Sequence, residues 1–252
     1  MSLLQSLAQR RHYMLFHDLY GDIVPIGTAA TPAENTGGTT SPLVITPPSG
    51  MLLGDLVYVF LSVRDDDNAP ITLNVSGGQT WNALPLQVDP GGDGMALQTY
   101  WCQYNGTWAA SPSWNFTTGT AGRPRSGVMH VFRSGSPVFD HWEYEQRGAI
   151  TIVASNPIVL PAITTTHPSA ICIGNWYGSQ GTAWPNLSGV GWQNLGLAQY
   201  RNTAGLRTST AYAWKYQKIP GSTGTVQRDA TLASSFGSKW IESFYQILKT
   251  PI

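Results

Sequence analysis

Five histidines, two alternating glutamates and a run of three aspartates are the residues of this 252-residue chain best equipped for chemistry. His12 and His17 miss the i, i+4 spacing that puts two metal ligands on one helix face. His130, His141 and His167 share no zinc-type spacing with a cysteine or a carboxylate. Glu143 and Glu145 would point to one side of a strand, where two carboxylates about 5–9 Å apart can act as acid and base. Their segment, Asp140-His-Trp-Glu-Tyr-Glu145, reads as a link between strands, where exposed charges are the ordinary finding. Asp65, Asp66 and Asp67 offer a weak set of oxygen ligands for Ca²⁺, without the alternation of a calcium loop. No nucleophile elbow, phosphate-cradling loop or dinucleotide fingerprint occurs. The expectation is a non-enzymatic protein with no catalytic residues, no metal centre and no cofactor.

The aromatic residues suggest binding instead. Ten Trp and eleven Tyr supply rigid contact area with a polar tip, which suits both cores and sugar-facing surfaces. Trp108 (Asn-Gly-Thr-Trp) and Trp184 (Gly-Thr-Ala-Trp-Pro) fall in turn-rich loops. They are the candidates for glycan or host contact; otherwise they fold back as lids over the strands.

Composition limits the partners. Charged residues are 11% of the chain and the net charge is zero, so there is no electrostatic footprint for nucleic acid or an acidic membrane. A chain so poor in charge suits life inside an assembly. No apolar run of about 20 residues is present, so no membrane insertion is expected. Cys102 and Cys172 sit in strand-like runs, as small buried apolar residues do.

These residues must be positioned by few helices and many strands. Ser2–Tyr20 has a Ser2/Gln5 capping box and a following Gly21, which predicts a helix. Leu3, Leu4, Leu7, Met14, Leu15 and Leu19 recur at helical spacing, either to pack on the chain's own domain or to dock on a partner. Ile23–Pro42 lacks a hydrophobic period and reads as a linker, so residues 1–42 form an arm. From Leu43 on, short strand-like runs alternate with Gly/Pro turns. Gly54–Arg64 is apolar on both faces and belongs at the centre of a sheet.

The chain also repeats itself, at an offset of about 113 residues. Asp55, Val57 and Val59 align with Ser169, Ile171 and Ile173; Trp81 aligns with Trp192, and Tyr100 with Tyr212. The aligned aromatics are expected in the core. Two halves, residues 43–136 and 149–252, would then form one all-β duplicated antiparallel β-sandwich, jelly-roll or Greek-key like, about a pseudo-twofold axis. The copy of the central strand, Pro168–Gly178, carries Asn175 and Tyr177 and is expected to be less covered at its far end.

Ile45-Thr-Pro-Pro-Ser-Gly50, then Gly54-Asp-Leu-Val-Tyr-Val-Phe-Leu-Ser-Val-Arg64, the Ala96-Leu-x-x-Tyr100 strand and Val128-x-His-Val-Phe-Arg133 together resemble a group of tailed-bacteriophage virion proteins. Those are β-sandwich proteins of the minor-tail, tail-fibre or head-decoration type; this chain departs from them in carrying Met51 where a Trp is common. The resemblance, over residues 43–248, implies a structural role in the virion and docking on other tail or capsid proteins. It also implies a homo-oligomer, trimers being frequent, and a projecting sandwich that touches host-surface glycan. A free carbohydrate-binding module is the alternative from another class.

Overall fold

The computed structural model describes residues 21–34, 42–64, 70–89, 95–116, 124–136, 139–152, 156–178, 184–203, 206–230 and 238–248. All regular elements in them are strands, and all strand pairs are antiparallel. The predicted helix, with Leu3, Leu4, Leu7, Met14, Leu15 and Leu19, lies outside the described residues, as do Asp65, Asp66 and Asp67.

The first half of the chain holds β1 (Ile23–Glu34), β2 (Leu43–Val44), β3 (Leu56–Arg64), β4 (Ile71–Val75), β5 (Asn82–Ala83), β6 (Gln87–Asp89), β7 (Met95–Gln103), β8 (Ser113–Phe116) and β9 (Pro124–Ser134). The second holds β10 (Phe139–Arg147), β11 (Thr151–Ile152), β12 (Ile158–Leu160), β13 (Thr164–Thr165), β14 (Ala170–Gly178), β15 (Leu187–Ser188), β16 (Gln193–Thr203), β17 (Leu206–Gln217), β18 (Gly221–Ser222), β19 (Val226–Arg228) and β20 (Ser238–Leu248).

Among the described residues each half builds the same two sheets, and the second half adds a two-stranded sheet of β13 and β18. The larger runs β1-β9-β3-β7-β5 in the first half and β10-β20-β14-β17-β16 in the second; the smaller runs β2-β8-β4 and β12-β19-β15. The strand Gly54–Arg64 predicts is thus β3, central in its sheet, and its copy β14 is central in the other. Ile23–Glu34 is not part of a linker: it pairs along its length with β9 and is the first strand of the repeat. Its counterpart, β10, occupies the segment read as a link between halves. Gly, Thr, Ala and Pro hide a strand that lies at a sheet edge and carries few large apolar residues.

Strand pairing defines the equivalence of the halves. Leu56 stands between Gln103 and Phe132, and Ile171 between Tyr216 and Phe244. Across the molecule Trp101 packs on Phe244 at 5.5 Å and Phe132 on Trp214 at 6.2 Å, two contacts exchanged by a pseudo-twofold rotation. β1 and β10 even share a bulge, between Pro25 and Gly27 and between Tyr144 and Gln146. Trp81 and Trp192, each just ahead of its strand, are equivalent as expected. The other expected alignments are one residue out. Val57, Val59 and Tyr100 face the small sheet of their half, whereas Ile171, Ile173 and Tyr212 face the opposite half. A single-residue slip turns every side chain to the other face, and a sequence match cannot sense it when both faces are apolar.

The outcome is four layers with three cores. The small sheets cover the outer faces of the large ones, around Val57, Val59, Trp114 and Met129 in one half and Cys172, Trp176, Ala213 and Ile241 in the other. The two large sheets close face to face on Tyr58, Phe60, Phe132, Ile173, Trp240 and Phe244. That is why both faces of β3 are apolar. β14 is buried over its whole length, Asn175 and Tyr177 included, so its far end is not the less covered one. Gly127 marks how tightly the layers approach: a Cβ there would lie 2.7–2.9 Å from Leu43, Ile45 and Leu61.

Candidate functional site

One group of buried polar residues lies in the seam between the large sheets, and another at the ends of the strands around it. In the seam, the fully buried Glu242 accepts a 2.6 Å hydrogen bond from the Tyr58 hydroxyl. It also accepts from Thr99 Oγ1, at 3.2 and 3.3 Å, and from Arg147 Nε at 2.8 Å. The Arg147 Nη2 atom is 2.8 Å from the same carboxylate, and Nη1 donates to the Pro85 carbonyl at 3.0 Å. Its guanidinium lies 5.0 Å above the Trp240 ring. Glu242 and Arg147 belong to the second half; Tyr58, Thr99 and Pro85 belong to the first. Burial, and then the charge of Glu242, push the Tyr58 phenol well above its ordinary range.

The equivalent position in the first half holds His130, fully buried. Its Nδ1 is 3.0 Å from Thr28 Oγ1, and its ring meets Tyr212 edge-on at 4.7 Å. Nε2 has no hydrogen-bond partner, and burial pushes the imidazole down to about 3. A neutral imidazole costs far less to bury than an unpaired charge.

The residues of the Pro-Pro-Ser-Gly, Gly-Asp and Val-x-His-Val-Phe-Arg stretches form one clasp at the entrance to β3. Arg133 donates from Nε to Asp55 Oδ1 and from Nη2 to Asp55 Oδ2, each at 2.8 Å. Nη2 also reaches the Gly50 carbonyl at 2.8 Å, and Leu52 N–H donates to Asp55 Oδ2 at 2.8 Å. Gly54, with φ +92°, turns the chain so that its carbonyl accepts from Trp142 Nε1 of the other half at 2.9 Å. A forked Arg–carboxylate pair fixes orientation as well as distance.

Glu143 and Glu145 both stand on β10, but their surroundings differ. Glu143 accepts from the Tyr245 hydroxyl at 2.6 Å, and that bond raises the Tyr245 phenol to about 12. Glu145, the bulge residue, caps the chain at Thr166–His167. It accepts from Thr166 N–H, Thr166 Oγ1, His167 N–H and Ser243 Oγ at 2.6–3.1 Å, with His167 Nδ1 at 3.1 Å. Burial opposes its charge, but these hydrogen bonds outweigh burial and hold the carboxyl below its ordinary range. His167 lies flat on Tyr245, centroids 3.8 Å apart. His141 Nε2 lies 4.0 Å from Glu143. Ser243 is bonded to the carboxylate and not to the imidazole, an order that does not activate a hydroxyl nucleophile. Among the described residues no group of three or more His, Cys, Asp or Glu is placed to hold a metal ion.

The loop tryptophans part company. Trp184 is 2% exposed and sits in the outer core of the second half, its Nε1 donating to Ser209 Oγ at 3.2 Å. It cannot offer a ring face to a glycan from there; the apolar floor beneath the loop draws it in. Trp108 is half-buried, stacked on Tyr104 at 5.3 Å and pressed on Gly77, whose Cβ would come within 2.8 Å of the ring. Both are lids.

Glu242, Arg147, Tyr58 and Thr99 escape a motif search because they come from four strands. One local sign is visible. Glu242 lies between Trp240 and Phe244 at strand spacing, a charge on an otherwise aromatic face. No protein-family model, curated protein or solved structure matches the chain.

Proposed function

We propose that this chain is a non-enzymatic structural component of a tailed-bacteriophage virion, a minor tail or fibre-associated protein with a projecting duplicated β-sandwich. The observation that carries the reading is the clasp. The scattered stretches that resemble such virion proteins meet at Gly50, Asp55 and Arg133, as a pattern that encodes a scaffold would. The low charge of the chain supports the same reading. Docking falls to residues 1–20, with Leu3, Leu4, Leu7, Met14, Leu15 and Leu19 as the apolar face, since β1 takes up the segment that follows. The jelly-roll or Greek-key connection of each half belongs to this proposal.

The test is particle composition. Mass spectrometry of purified particles from cells that make this chain should find it in fixed ratio to the major capsid protein. A gold label on the chain, viewed by negative stain, then distinguishes tail from head decoration. Deleting residues 2–20 should leave a folded protein that no longer enters particles. Absence of the intact chain from particles, or normal entry of the deletion, would overturn the role or the docking arm respectively. Glycan affinity of the chain, lost on Trp108→Ala, would favour the binding-module reading instead.

A further inference from the structure

The seam between the large sheets is where the halves, otherwise so alike, differ in chemistry. Pseudo-twofold equivalence places Thr28 opposite Arg147, and His130 opposite Glu242. Thr28 pairs directly with His130 on neighbouring strands, and Arg147 is partnered with Glu242 in the same way. The groups that receive these pairs across the seam have diverged too. Where the first half presents Tyr58 and Thr99, the second presents Ile173 and Tyr212.

The geometry points to a seam built as a fused heterodimer, in which Arg147 and Glu242 make the second half accept the first half and reject a copy of itself. In the native seam Glu242 is received by the Tyr58 and Thr99 hydroxyls, and Arg147 by the Pro85 carbonyl, all from the first half. Were two second halves to pair, each Glu242 would face Ile173 in place of Tyr58. It would lose its shortest hydrogen bond, and two buried carboxylates would share one seam. Arg147 of its own half would stay with each Glu242, and Tyr212 of the copy would stand in place of Thr99. A buried carboxylate short of donors is nonetheless penalised, and specificity is commonly set by such penalties. Were two first halves to pair, His130 would meet Thr99 where Tyr212 now stands, and the 4.7 Å ring contact would be lost. Only the unlike pair brings Tyr58 to Glu242 and Tyr212 to His130 at once. Some apolar residues do not discriminate, since Trp101 and Trp214, and Phe132 and Phe244, occupy equivalent places. Phe60 and Val128 of the first half, however, answer to Asn175 and Trp240 of the second, and Phe60 packs on Trp240 only in the unlike pair.

The experiment starts from the folded full chain with a protease site inserted between residues 137 and 138. Unlabelled and ¹⁵N-labelled samples are cut, mixed, unfolded in urea and refolded together, and native mass spectrometry reads which halves pair. Complexes of one first half with one second half should dominate, scrambled between labels, with like pairs at least tenfold rarer. Like pairs in the proportions of random association would overturn the proposal, and this outcome needs no variant. The double substitution Arg147→Thr with Glu242→His gives the second half the pair of the first. Its self-pairs should then rise at least tenfold, because His at 242 would meet Tyr212 of a copy as His130 does now. Failure of that rise, in a variant whose uncut chain melts cooperatively, would show that apolar packing sets the pairing.

Discussion

The two halves solve one problem in opposite ways. Both must bring a polar pair of neighbouring strands into a seam lined with aromatic rings. The first half uses a neutral pair, Thr28 and His130, and keeps the imidazole uncharged by burial. The second uses an ion pair, Arg147 and Glu242, and surrounds the carboxylate with donors. The bulge on the edge strand repeats the contrast: Ile26 packs against the first outer core, whereas its counterpart Glu145 holds a loop through hydrogen bonds. The repeat thus keeps the frame of strands and differs at its polar positions. Wherever one half keeps a charge, donors must be supplied around it, and in the seam two of them, Tyr58 and Thr99, come from the other half.

Breaking the ion pair should give the largest effect. Glu242→Gln leaves Arg147 without its counter-charge, and Arg147→Met leaves Glu242 a buried charge held only by the Tyr58 and Thr99 hydroxyls; each should cost about 3–5 kcal/mol in urea unfolding. Arg147→Met with Glu242→Leu should recover most of that loss, because the seam is apolar around both. A single substitution within about 1 kcal/mol of wild type would contradict the burial of the pair.

The outer cores offer a second contrast, between the two loop tryptophans. Trp184→Ala should cost about 3–5 kcal/mol, as expected for a fully buried indole. Trp108→Ala, from a half-buried site, should cost about 1–2 kcal/mol on the area it covers. Equal losses would erase the distinction.

His130 should give the first half a pH dependence that the second lacks. Its folded value of about 3 lies below the ordinary 6.5, so between those values the unfolded chain binds the extra proton. The stability is fully present above about pH 6.5 and is lost as pH falls toward 3. Between pH 6.5 and 5 the loss should be about 2 kcal/mol, and His130→Leu should remove that slope. Identical slopes in both proteins would mean that His130 is not held neutral.

The smallest effect belongs to the clasp. Arg133 is partly exposed, so Asp55→Ala should cost about 1 kcal/mol after solvent screening, read as a lower thermal midpoint.

Much of the frame was legible because strand periodicity and turn residues are local signals. Gly54–Arg64 announced a strand buried on both sides, and the repeat of Trp81 at Trp192 announced its copy. The edge strands β1 and β10 were not legible. An edge strand needs few large apolar residues, so Ile23–Glu34 looks like linker and Asp140–Glu145 like a charged link. The seam was harder still, since Tyr58, Thr99, Arg147 and Glu242 are far apart along the chain.

By itself, then, the sequence determined an all-β chain of two similar halves, each organised on a central strand apolar on both faces. Backbone propensity and alternation act over a few residues and are written there directly. Tertiary structure alone decided which face of each strand looks inward, since the register that sets it depends on partners distant in the chain. It also decided that Glu242 would be held by the opposite half, because only closure of the two large sheets removes water and forces that carboxylate to find donors.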